Sequence, residues 1–399
     1  MPSGKSEITQ RLFAVRWQNA FRPYLLISLL TLAPGGADRR QTPSPSNFNP
    51  NELHGGIEIA PRIIRAIALR ISTGAEGDNI KILSSDQAAT STPYPKDGKL
   101  TPEYIRDLAQ SVQKLSEKLQ RDFHIPPDQI HLLGLPELAV QNRDDLTREV
   151  LGRINKEITF LDAKGETELS IAGNIPRRYQ LDGKSYDNRN ISLLLDIGDT
   201  NIKGGYQRLR QVSRERTEYD YATWDIPKGG TTLALEAGRA LGETADLQSF
   251  ATNVALNANS FRELIRARVA QYPGLMTRKK IYLTGNIVWA MATLLHPEDQ
   301  RAYVPLTTDD INIFHHRALT DPDALFNPDL SKIREENARN EARRAREAIK
   351  AVYTPKSLVA GAEVLKVVAG ELNLAERRMI YARYSYLARI LSYVRLQPE

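Results

Sequence analysis

The sequence predicts a duplicated α/β protein, and three observations predict it. Strand and helix patterns alternate from residue 55 onward, and the series begins again near residue 191. Each half opens on a strand–turn–strand of one spacing. The first reads Glu58-Ile59-Ala60-Pro61-Arg62-Ile63-Ile64-Arg65 and the second Asp196-Ile197-Gly198-Asp199-Thr200-Asn201-Ile202-Lys203. Both run acid, Ile, four turn residues, Ile, base, at the same place in their halves. Finally, 399 residues are ample for more than one core, and a charged fraction of 26% excludes a wholly disordered chain.

The elements follow in order. Residues 56–72 (GIEIAPRIIRAIALRIS) are β-branched and Ile-rich, hence two strands about a tight turn; 79–83 is a further short strand. Residues 100–123 form an amphipathic helix opened by Thr101 as N-cap and Pro102 in the first helical position. A strand over 129–135, a helix over 143–154, a strand over 158–161 and a helix from 165 complete the first half. In the second, 191–197 (ISLLLDI) is a buried-type strand that returns over 202–209, and 218–226 is another. Gly229-Gly230-Thr231-Thr232 opens a helix, and 249–271 is helical. The strand 279–284 runs into Gly285 and the helix 286–295. Helices near 338–351 and 356–372, a short strand near 379–382 and a last helix to about 394 close the chain. The expected domains are 55–190 and 191–399, the second taking the C-terminal helices.

Residues 1–54 stand apart. They carry six bases and three acids, so half of the chain's net charge of +6 lies there. An apolar run at 24–33 (YLLISLLTLA) follows a basic stretch, and 38–51 is a Pro-, Ser- and Asn-rich linker. That order suits a secretory signal or anchor, and equally an ordinary leader. No run of 18 apolar residues marks a membrane span. The absence of cysteine excludes disulfides, thiol nucleophiles, thiolate zinc sites and iron–sulfur clusters. The densest basic stretch, 332–350, has seven bases against four acids and reads as a solvated helix face, so no specific nucleic-acid binding is expected. His315-His316 read as surface or packing residues. There is no HExxH, serine-hydrolase elbow or Walker lysine loop.

Chemistry concentrates at a few turns. A Gly- and Thr-bearing turn between strands exposes backbone N–H groups that suit phosphate oxygens, and an Asp at the strand end can hold Mg²⁺. This makes Asp196 to Asn201 the best phosphate–metal candidate; a plain polar hairpin is the other reading. Gly285-Asn286 and Gly229-Gly230 put helix N-termini where strands end, a place for anions. Glu166 and Glu168 follow a strand, where a carboxylate can serve as a general base or simply complement the helix dipole.

In that order these pieces resemble the exopolyphosphatase/guanosine pentaphosphate phosphohydrolase (Ppx/GppA) family of the actin-like, sugar-kinase and Hsp70 superfamily, over residues 55–395. The family's DIGSNS-type loop corresponds to Glu58-Ile59-Ala60-Pro61-Arg62-Ile63, and its N-x-x-x-L helix to residues 141–146. Its I-x-x-I-S-G-x-E-E-A segment is similar to 158–167, its DIGGGSTE loop to Asp196–Lys203, its G-T-x-x-A-L stretch to 285–290 and its C-terminal GA helix to 357–362. The resemblance implies duplicated RNase H-like (actin-like ATPase) domains with an interdomain cleft, Mg²⁺ as cofactor, a cytoplasmic location and a possible homodimer. By position it implies Glu166 as the glutamate that activates water, and Asp196 and Glu58 at the metal. Phosphate would meet Gly198, Asp199, Thr200, Asn201, Lys203, Gly230 and Gly285.

The chain also departs from the pattern. Glu58 stands for the first loop's aspartate and Lys203 for the second loop's glutamate; Ala60 and Pro61 remove turn freedom and a donor. The family's phosphate-contacting Thr and Arg fall on Gly134 and Leu138. Three functions are therefore expected as alternatives. They are a phosphoanhydride hydrolase acting on polyphosphate or a guanosine nucleotide, a binding protein of the same fold that has lost hydrolysis, and an actin- or sugar-kinase-like ATP binder. Arg62, Arg65 and Lys203, at or beside the two loops, favour a polyanionic ligand.

Overall fold

A computed structural model describes residues 53–396 except 62, 75–76, 95–98, 139–140, 182–183, 212–216 and 242–244. Residues 1–52 of the expected leader, with its apolar run, and Arg62 lie outside the described residues; the leader's last two residues, Leu53 and His54, instead begin the first strand of the fold. Among the described residues no helix is long and apolar enough to cross a membrane. The chain forms two compact units: residues 53–169 with 387–396, and residues 170–386.

The first unit holds strands β1 (Leu53–Ile59), β2 (Ile63–Gly74), β3 (Gly77–Ala89), β4 (Ile130–Gly134) and β5 (Ile158–Phe160), in the order β3-β2-β1-β4-β5. β1 pairs antiparallel with β2 and β2 with β3, while β1–β4 and β4–β5 are parallel. Helix α1 (Pro102–Phe123) covers one face. Its buried residues Tyr104, Leu108, Val112, Leu115 and Leu119 recur every three or four positions, the spacing of one helical face. Thr101 caps it by accepting from the Tyr104 N–H at 3.2 Å, and Pro102 begins it, as the sequence predicts. Helix α2 (Arg143–Ile154) packs on α1, and α3 (Ala163–Asn174) follows β5.

The second unit contains a small hairpin, β6 (Arg178–Leu181) with β7 (Lys184–Asp187), and a six-stranded sheet. The sheet's strands are β8 (Ser192–Ile197), β9 (Ile202–Gln211), β10 (Thr217–Ile226), β11 (Lys280–Thr284), β12 (Tyr303–Leu306) and β13 (Arg378–Ala382), ordered β10-β9-β8-β11-β13-β12. Leaving aside the antiparallel edge strand β12, this order and its strand senses repeat those of the first sheet position by position. The duplication read from two hairpins thus extends to two whole sheets.

Around the second sheet lie α4 (Gly230–Leu241), α5 (Leu247–Gln271), the single turn α6 (Gly274–Thr277), α7 (Asn286–Leu295), α8 (Thr308–Thr320), α9 (Pro322–Phe326), α10 (Glu336–Val352) and α11 (Pro355–Glu371). α11 is buried nearly all round, from Leu358 to Leu365 without a break, and packs against α4, α5, α7 and α8. A helix apolar on every side belongs inside.

The last helix, α12 (Ser385–Arg395), corrects the expected domain boundary. It belongs from Leu387 onward to the first unit, not the second. β1 shows why. Its odd residues, Ile57 and Ile59 among them, pack in the core under α1, so Gly56 and Glu58 point to the opposite face. A side chain on Gly56 would run into Ile390 and Val394 of α12, so the glycine lets the helix lie directly on the strand. Tyr393 adds a hydrogen bond from its hydroxyl to Thr159 Oγ1 at 2.6 Å.

Candidate functional site

Both hairpins that open the sheets close in the same way. The Ala60 N–H donates to the Ile63 carbonyl at 3.1 Å, and the Gly198 N–H to the Asn201 carbonyl at 2.9 Å. Glu58 then stands directly across from Arg65, and Asp196 directly across from Lys203. Opposed residues on neighbouring strands put their side chains on one face within reach of each other. Each sheet therefore carries an acid and a base side by side just below its turn.

In the first unit the acid is wholly engaged. Glu58 has no exposed surface. Arg65 Nη1 donates to its Oε1 at 3.0 Å. From α12, Arg389 donates Nε to Oε2 at 2.9 Å and Nη2 to Oε1 at 3.1 Å. Burial alone would push the Glu58 carboxyl up. The charges and hydrogen bonds of Arg389, then of Arg65, outweigh burial and hold it below the ordinary carboxylate value. Glu166, almost buried in the first turn of α3, presents its Oε1 to the same guanidinium, 3.6 Å from Arg389 Nη1. Two carboxylates and two guanidiniums thus form one compact cluster.

This arrangement corrects the metal role expected of Glu58. Magnesium takes oxygen ligands in a near-octahedral shell. Both Glu58 oxygens already accept from guanidiniums, whose positive charges surround the place a cation would need. The residues present do not fit the ion. Among the described residues no three His, Asp or Glu side chains gather as a metal cage. Asp196, half-buried at the end of β8, faces a lysine where the family keeps an acid. The two positions matched to the family's phosphate contacts have apolar settings as well: Leu138 is fully buried in the core, and Gly134 has no side chain to offer.

In the second unit the turn 198–201 lies at the C-terminal ends of β8 and β11, against the starts of α4 and α7. The Thr231 N–H, in the first turn of α4, donates to the Asp199 carbonyl at 2.7 Å. Gly285 caps α7 with φ at 99°, a conformation few residues other than glycine adopt, and a side chain there would overlap the Ile197 carbonyl. Gly230 rests on Gly361 of α11. The structure thus gathers the predicted Gly198, Asp199, Thr200, Asn201, Gly230 and Gly285, with Asp196 and Lys203 beneath them.

Asp199 ties this corner together. Its Oδ2 accepts from Asn286 Nδ2 at 2.6 Å and its Oδ1 from the Tyr353 hydroxyl at 2.8 Å. Burial first, then the adjacent Asp199 charge and hydrogen bond, push the Tyr353 hydroxyl well above its ordinary value. Sequence reasoning missed Tyr353 and Arg389. Tyr353 carries no signal beyond its place before the capped start of α11. Arg389 borders the apolar stripe of α12, which marks it as near a packed face without naming its partner.

No protein-family model matches the sequence, and no curated protein matches it. Solved structures do. The chain shares its two-sheet α/β fold with solved structures of Ppx/GppA proteins and exopolyphosphatases. A Ppx/GppA family member from Aquifex aeolicus is 15% identical, with 87% of this chain and 99% of that one covered at a TM-score of 0.54. An exopolyphosphatase from Cytophaga hutchinsonii is 12% identical, with 86% and 98% covered at 0.50. An exopolyphosphatase-like protein is 12% identical, with 86% and 99% covered at 0.52.

Proposed function

We propose that the chain binds a polyphosphate-type anion in its second unit and does not hydrolyse it. The ligand class is inorganic polyphosphate or a phosphorylated guanosine nucleotide. The observation that carries this reading is Glu58. Phosphoanhydride hydrolysis with a metal needs charge neutralisation and positioning at both loops, and the first loop's acid has both oxygens given to arginines. Binding is supported by the fold shared with exopolyphosphatase structures, by the turn 198–201 beside the positive ends of α4 and α7, and by Lys203 beneath it.

Isothermal titration with polyphosphate and with guanosine pentaphosphate tests it. Binding of one of them, weakened in K203A, is the expected result. No binding of either would overturn the reading.

A further inference from the structure

We propose that Arg389 is a built-in cation. Its guanidinium takes the charge-balancing place between Glu58 and Glu166 that a divalent metal would otherwise hold, and so closes the first unit to such an ion. The inference concerns the first unit alone and stands whether or not the second unit binds a polyanion.

Three facts converge on it. The guanidinium reaches Glu58 with two nitrogens, at 2.9 and 3.1 Å, and turns the third toward Glu166 at 3.6 Å. Both carboxylates are buried or nearly so, and buried acids require a partner of opposite charge or a proton. The cation comes from α12, whose docking on Gly56 fixes its approach. A guanidinium differs from a metal in one useful way: it is covalently part of the chain and cannot be chelated.

Neutralising Arg389 should do more than break an ion pair. With Arg389 made neutral, Glu58, Glu166 and Arg65 keep a net charge of one minus, and the space vacated is flanked by carboxylate oxygens. Hard divalent ions prefer that ligand type.

Thermal melting of wild type, R389M and the triple variant R389M/E58Q/E166Q, in EDTA and in rising MgCl₂ or MnCl₂, tests this. Wild type should be indifferent to the ion. R389M should melt lower in EDTA and recover by about 2–5 °C for each tenfold rise of ion above its dissociation constant. The triple variant should be indifferent again. An R389M midpoint that ignores the ions would overturn the proposal. Should R389M not fold, electron paramagnetic resonance of Mn²⁺ with wild type decides. Binding that disappears in E166Q overturns the proposal, and no Glu166-dependent binding supports it.

Discussion

The Arg389 guanidinium grips the Glu58 carboxylate with two hydrogen bonds across a sequence separation of 331 residues. A two-point contact of this kind fixes orientation as well as charge. It ties the end of the chain to the first strand of the fold and removes the first loop's acid from metal chemistry. In a fold shared with exopolyphosphatase structures, the pair leaves both oxygens of the first loop's acid engaged by arginines.

Arg389→Ala should cost about 3–5 kcal/mol, because it leaves a buried carboxylate with one partner instead of two. Arg65→Ala should cost distinctly less, since Arg389 keeps its fork on Glu58. Urea denaturation of both variants checks the ranking, and equal losses would contradict it.

Acid should weaken the wild type through Glu58. Its folded value lies below the ordinary 4.5. Its contribution is therefore present above 4.5 and lost as pH falls through the lowered value. Glu58→Gln should be the less stable protein at neutral pH, with the gap closing as pH drops. Urea midpoints measured across that range show it.

Tyr353→Phe should cost about 1–2 kcal/mol at neutral pH by removing one donor to Asp199. The hydroxyl's value is raised above its ordinary 10.0, so its stabilisation holds below 10 and is lost as pH rises through the raised value. The difference between wild type and variant should shrink in alkali, which unfolding midpoints on either side of pH 10 will register.

Asp199→Asn keeps a group of the same size between Asn286 and Tyr353 while removing a negative charge beside the turn. Polyphosphate should bind it about threefold to tenfold more tightly than wild type, with the gain fading in high salt. Titration calorimetry at two ionic strengths measures both effects.

Gly285→Ala should destabilise by at least about 2 kcal/mol. The positive φ and the Ile197 carbonyl leave the methyl group no place. A melting curve like that of wild type would refute this.

Local pattern made much of this fold legible. Equal spacing marked the two opening hairpins, whose register the structure shows to set Glu58 against Arg65 and Asp196 against Lys203, and the cap at Thr101-Pro102 marked the start of α1. The sequence pattern assigns no element between residues 296 and 331. There β12 is only four residues long and contains Pro305, a weak strand signal. The following α8 did advertise itself, through the Thr307–Asp310 capping box. The docking of α12 was hidden for another reason. Order along the chain assigns the last helix to the nearer sheet, and only its long-range contacts, Gly56 on Ile390 and Val394, Arg389 on Glu58 and Tyr393 on Thr159, assign it to the farther one. In the candidate site, the turns were visible because their residues are contiguous. Arg389 and Tyr353 were not, because each acts on a residue more than 150 positions away.

The most direct test of the central claim is phosphate release from polyphosphate and guanosine pentaphosphate in the presence of Mg²⁺, with wild type beside Glu166→Gln. The account predicts release by wild type no faster than by the variant, from a protein that nonetheless binds one of the two ligands. Release well above the variant's would contradict it and return Glu166 to the role of a working base.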